Sequence, residues 1–270
     1  MSEIVKMRAP GRAIQMPEKK WGLSGSTLKW IAVVSMLIDH LGLGLAGRIL
    51  ITNCFGMSRE QWQSLYILYR IMRGIGRMAF PIYCFLLVEG FKWTHSALKY
   101  ALRLGIFAIA SEIPFDLAFS GTVLEFGYQN VFFTLLCGFL AMFGADWLTQ
   151  KLLDEKPLYM QYIGALLITV LCTAPMAGVA ELLRTDYGAK GVVCIMLLYL
   201  FRYLKWEQVA VGAISFLWEK PASLAFIAVA LYNGKRGMRL KYFFYLFYPL
   251  HLLLIYFICM MLGIAGQSVI

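Results

Sequence analysis

The chain has 270 residues, 60% of them hydrophobic and only 15% charged, with a formal net charge of +10. Soluble domains are nearer half apolar and a quarter charged, and apolar runs near bilayer-crossing length recur here from end to end, so the composition is that of a membrane protein. The strand alternation of an outer-membrane barrel is absent, the basic residues suit membrane orientation rather than nucleic acid, and the six cysteines lack any CxxC spacing for a metal or a disulfide framework.

Residues 1–27 read as a polar, basic cytoplasmic tail without a cleavable signal, and residues 28–270 as one membrane domain. The fold class is all-α, a polytopic bundle of about nine spans at roughly 28–50, 75–91, 98–119, 129–148, 158–180, 188–203, 206–218, 221–232 and 242–265. The seventh and eighth are short, and could be one element broken around Glu219-Lys220-Pro221. With the N-terminus cytoplasmic and the C-terminus outside, most Lys and Arg fall on the cytoplasmic face, as orientation requires.

The first span, LKWIAVVSMLIDHLGLGLAG, carries Asp39 and His40 in its apolar middle. Adjacent helical residues point about 100° apart, so Asp39 should answer an arginine of the second span while His40 faces another neighbour. The second opens YRIMRGIGRMAFP, where Arg70, Arg73 and Arg77 form one stripe at i, i+3 and i+7. Such a stripe either meets lipid headgroups or lines an inward anion site. The third carries SEIPFD, with Glu112 and Asp116 on one face and Pro114 between them. Asn130 opens the fourth, and Asp186-Tyr187-Gly188 the sixth.

The last span, FFYLFYPLHLLLIYF, holds Pro249 and His251. Helical rise puts His40 about 16 Å beyond Lys29 and His251 about 15 Å beyond Lys241, both near the midplane of a core about 30 Å thick. A neutral imidazole there is a proton acceptor. His95 falls in a loop and reads as solvated. The three arginines nearly balance Asp39, Glu112 and Asp116, which also suits a structural ion-pair network. No HExxH or comparable close pair exists, so no metal is expected.

The pieces LKWIAVVSMLIDHLG, RIMRGIGRMAFPIYCFLLVEGFKWT, KYALRLGIFAIASEIPFDL, NVFFTLLCGFL, DYGAKGV and FYLFYPLHLLL, in order from about residue 28 to 255, resemble the TraX family of membrane proteins. TraX is the F-pilin acetylase, and the family is similar to larger groups of membrane acyltransferases that carry an acyl group from cytoplasmic acyl-CoA to an outer-face acceptor. The matching positions are Asp39, His40, Arg73, Arg77, Glu89, Glu112, Asn130, Asp186 and His251.

The resemblance implies acetyl-CoA, or another acyl-CoA, as donor in a bacterial cytoplasmic (inner) membrane. The acceptor is then an amine or hydroxyl of a protein N-terminus, glycan or lipid. His40 or His251 would act as base or nucleophile, with Asp39 and Glu112 orienting the arginines or a histidine. Arg73 or Arg77 would stabilise the oxyanion, with Tyr245, Tyr248 or Asn130 as neutral alternatives and Arg70 and Asp186 beside them. Lys92, Lys99, Arg103, Arg236, Arg239 and Lys241 are the candidates for the donor's phosphates. A proton-coupled transporter or flippase for an anionic lipid or small anion is the competing reading, against which the lack of a two-fold hydropathy repeat counts.

Overall fold

A helix starts at Gly25 because Ser24 accepts a hydrogen bond from the Thr27 backbone at 3.2 Å, satisfying one of the free N–H groups of the first turn. In the computed structural model, which describes residues 21–153, 156–238 and 241–270, this helix α1 (Gly25–His40) runs into a π-helical turn, Leu41–Ala46, and then α2 (Gly47–Thr52). Most of the basic tail therefore lies outside the described residues. Ser58 and Gln61 form a reciprocal capping box that starts α3 (Arg59–Gly76). That helix breaks at Arg77-Met78 and resumes as α4 (Ala79–Lys92). At the break, Ser35 Oγ of α1 donates to the Ile75 carbonyl at 2.6 Å, so α1 supplies a partner where the α3 ladder ends.

The chain continues through α5 (Ala97–Phe119), α6 (Val131–Leu153), α7 (Leu158–Leu182) and α8 (Gly188–Leu200). After α9 (Lys205–Ser215) come a 3₁₀ turn (Leu217–Glu219) and the short pieces α10 (Lys220–Ser223) and α11 (Ala225–Ala230), and α12 (Lys241–Met261) ends the bundle. Among the described residues there is no strand, and five helical stretches are long and apolar enough to cross a membrane. They are Gly25–Thr52, Arg59–Lys92, Val131–Leu153, Tyr159–Leu182 and Phe243–Met261. The 23-residue α5 is as long, but carries Lys99, Arg103, Glu112 and Asp116.

Nine spans of bilayer length are not found among the described residues. The eleven residues of α9 rise only about 16 Å and the six of α11 about 9 Å, short of a 30 Å core. Residues 205–232 instead make a half-depth hairpin whose ends meet, Lys205 Nζ donating to the Tyr232 carbonyl at 2.8 Å. Its tip is the 3₁₀ turn just before Pro221.

Contacts between the loops define two ends. At the basal end Leu23 N bonds the Leu231 carbonyl (2.8 Å) and Lys92 Nζ the Arg202 carbonyl (3.1 Å). At the apical end Asp186 N bonds the Gln129 carbonyl (2.8 Å) and Val269 N the Phe119 carbonyl (2.8 Å).

Arg48 is fully buried, yet no carboxylate among the described residues pairs with it. Its Nε donates to the Gln267 carbonyl (2.8 Å) and its Nη1 to the Ala118 carbonyl (2.5 Å), at the negative C-terminal end of α5. It thereby clamps the chain's last residues onto the bundle. Arg48→Met should lower thermal stability in detergent by several degrees, since each carbonyl left unpaired costs about 1–3 kcal/mol, and should expose residues 264–270 to protease. An unchanged melting temperature would remove the clamp.

Candidate active site

The π-helical turn directly after His40 offsets the end of α1, a distortion that recurs at functional sites. Close helix approach holds this region. A Cβ on Gly44 would lie 2.9 Å from Ile255 of α12, and one on Gly76 would collide with Asp39. Asp39 and His40 therefore sit wedged between α3 and α12, and as expected from their 100° offset they take different partners.

His40 Nδ1 lies 2.6 Å from His251 Nε2, so the matched depth read from helical rise is met by direct contact. The ring planes differ by 5° with centroids 4.9 Å apart. With so short an N···N distance, this is an edge-to-edge bond in one plane rather than a face-to-face stack. His251 Nδ1 is 2.6 Å from the Phe247 carbonyl, which can only accept. His251 Nδ1 therefore carries a proton, and in the neutral ring Nε2 accepts from His40 Nδ1–H. The chain of bonds leaves the lone pair of His40 on Nε2. His251 is buried, whereas half-buried His40 lines a cavity of about 250 Å³ at the apical end.

Charged groups share the lining of that cavity with apolar ones, Leu43, Phe80, Phe115 and Phe119 among them. Arg73 Nη1 pairs with Asp39 Oδ2 at 2.6 Å, and Asp39 Oδ1 has no hydrogen-bond partner among the described residues. Arg77, at the break between α3 and α4, pairs through Nε with Glu219 Oε1 at 2.9 Å. Tyr128 donates its hydroxyl to Asp186 Oδ1 at 2.6 Å. Glu219 had read as a break in the chain; its position at the hairpin tip makes it the counter-ion of Arg77. A carboxylate inside a short apolar segment was the available signal.

Several candidates lie elsewhere. Glu112 lines neither cavity: its Oε2 accepts from Asn130 Nδ2, which also donates to the Ala108 carbonyl at 2.8 Å. Glu112 and Asn130 thus brace α5 against the start of α6 and do not face the histidines. Asp116 Oδ2 accepts from Glu125 N at 2.8 Å and holds the apical loop. The reason is angular: α5 reaches the apical cavity through Phe115 and Phe119, and Asp116 is turned about 100° from Phe115. Arg70 is exposed and outside the cavity, so only Arg73 and Arg77 of the stripe enter.

A second, larger cavity of about 650 Å³ opens at the basal end. Lys29, Arg103 and Arg236 line it, and Arg103 Nε is buried without a hydrogen-bond partner among the described residues. Lys29 had read as an orientation charge only. Lys92 does not line this cavity; it bonds Glu89 Oε1 at 2.7 Å and the Arg202 carbonyl. Lys99 lies exposed in the first turn of α5, away from the cavity. Arg239 falls outside the described residues, as does the side chain of Lys241. Met36, Tyr83, Val131 and Tyr248 line both cavities and so separate them.

An all-helical membrane protein with a histidine pair and ion pairs at an apical cavity, and a second cavity at the basal end, is the class these features define. The family described as TraX protein matches residues 24–259, and this chain belongs to it. It is also 30% identical over 263 residues to the probable fimbrial assembly protein FimC, serogroup H1, of Dichelobacter nodosus, covering 86% of this chain and 94% of that protein. No solved structure matches the chain.

Proposed function

We propose that this protein is a membrane acyltransferase that moves an acetyl group from acetyl-CoA, entering at the basal end, to an amine or hydroxyl in the apical cavity. The observation that carries the reading is that His40, whose Nδ1 is engaged by His251, lines a charged apical cavity that shares four side chains with a basal cavity carrying Lys29, Arg103 and Arg236. Membership of the TraX family and the likeness to a protein named for fimbrial assembly favour a pilin-like N-terminal amine as acceptor over a glycan or lipid.

His40 Nε2 takes the proton of the acceptor N–H or O–H as the new bond forms to the thioester carbon. The C–S bond breaks, CoA leaves as thiolate, and the proton held by His40 returns to it or to water. His251 fixes the tautomer that makes this possible. Arg73 is held by Asp39 beside His40, where a donor aimed at the developing oxyanion has most effect. Lys29, Arg103 and Arg236 hold the donor's phosphates.

The basal end, with Lys29, Lys92, Arg103, Arg202, Lys205 and Arg236, is then the cytoplasmic face of a bacterial inner membrane. On this reading α5 and the short α8 cross beside the five bilayer-length stretches, which puts the N-terminus inside and the C-terminus outside. Purified protein in lipid vesicles, given radiolabelled acetyl-CoA and a peptide with a free N-terminus, should consume the thioester and label the peptide. Back-to-back cavities also suit a proton-coupled transporter. Neither acetyl-CoA binding nor turnover, with proton-linked anion or lipid movement instead, would replace the enzyme by that reading.

A further inference from the structure

The layer between the two cavities bears on the length of the group transferred, an inference that rests on the acyl-transfer reading. Met36 lies four residues before His40, on the same face of α1. The Tyr248 ring meets the His40 ring edge-on at 5.8 Å, and is itself held edge-on by Phe132 at 5.0 Å. Tyr83 of α4 and Val131 at the start of α6 complete the layer. Met36 and Tyr248 thus sit next to the histidine, and Tyr83 and Val131 line the same cavity as it does.

The two sides of this layer differ in size and chemistry. On the basal side about 650 Å³ is lined by Leu86, Leu87, Leu104, Leu135 and Phe132 among others, an apolar channel suited to a pantetheine arm. On the apical side only about 250 Å³ is available, lined by Asp39, Arg73, Arg77 and Asp186 together with Leu43, Phe80, Phe115 and Phe119. An acyl-CoA entering from the basal end leads with its acyl tail. For the thioester carbon to reach a nucleophile deprotonated by His40, the tail must already lie beyond the layer. There it shares the smaller cavity, about 250 Å³, with the acceptor, and each added methylene takes volume that the acceptor needs.

We propose that Met36, Tyr83, Val131 and Tyr248 form a throat that restricts transfer to acetyl and comparably short acyl groups, with Met36 and Val131 setting the cut-off. Tyr248 is held between aromatic rings, whereas Met36 and Val131 present aliphatic side chains whose truncation enlarges the apical cavity that they also line.

The test uses full-length protein in vesicles of phosphatidylethanolamine and phosphatidylglycerol, with acetyl-, butyryl-, hexanoyl- or octanoyl-CoA and a free-amine peptide, following thiol release and acylated peptide. Wild type should use hexanoyl-CoA at least about tenfold more slowly than acetyl-CoA, and Met36→Ala or Val131→Ala should raise the hexanoyl-to-acetyl ratio by about tenfold. His95→Ala, in the exposed loop between α4 and α5, should leave that ratio unchanged. Wild type consuming octanoyl-CoA as fast as acetyl-CoA overturns the throat whatever the variants do. So does an unchanged ratio in both alanine variants when they melt as wild type does. If no acyl-CoA of any length is consumed, the acyl-transfer reading fails and the throat with it.

Discussion

His40→Ala should reduce acyl transfer by about 10²–10⁴-fold, the usual contribution of a positioned general base, while the protein still folds and still binds acetyl-CoA. The substitution removes the one ring nitrogen that the bond chain Phe247 carbonyl–His251–His40 leaves as a lone pair beside the cavity. His251→Ala should cost less, because the base remains and only its tautomer and orientation are freed. The comparison separates the rings: equal losses would mean that both handle the proton. His95, exposed in the loop between α4 and α5, is the control. Steady-state turnover of the three variants decides the matter, and a His95→Ala loss as deep as that of His40→Ala would sink the argument from the buried pair.

Breaking the Asp39–Arg73 pair should have the second-largest effect, and on two separable quantities. Both side chains are mostly buried, at 14% and 19% exposed, so removing either leaves a poorly solvated charge and should destabilise by about 3–5 kcal/mol. Replacing both at once, Asp39→Asn with Arg73→Gln, removes the stranded charge and should recover much of that stability. Activity should not return, because the donor beside His40 is gone. Thermal melting and turnover across this double-mutant cycle distinguish the roles. If the double variant regains both, the pair is a structural brace and the oxyanion belongs to another donor, Arg77 being next in line.

Composition and local pattern were enough for the class. Apolar runs of bilayer length gave the membrane helices, though the second begins at Arg59 and not near 75, and the motif pieces gave a family whose match covers residues 24–259. Rise per residue placed His40 and His251 at one depth, and the 100° step between neighbours predicted that Asp39 and His40 would part company. These properties are carried by a residue and its near neighbours along the chain, so the sequence alone determines them.

Which group meets which is another kind of fact. His40 and His251 are 211 residues apart, and Asp39 and Arg73 are 34 apart; only the packing of α1 against α3 and α12 brings them together. Charge counting had matched Arg70, Arg73 and Arg77 with Asp39, Glu112 and Asp116. The fold instead leaves Arg70 exposed, turns Glu112 toward Asn130, and lifts Glu219 on a half-depth hairpin to reach Arg77. The tautomer of the histidine pair and the layer between the cavities follow from those placements. Periodicity fixes how a side chain is turned on its own helix, but the helix it faces, and so its partner, is set only when the bundle closes.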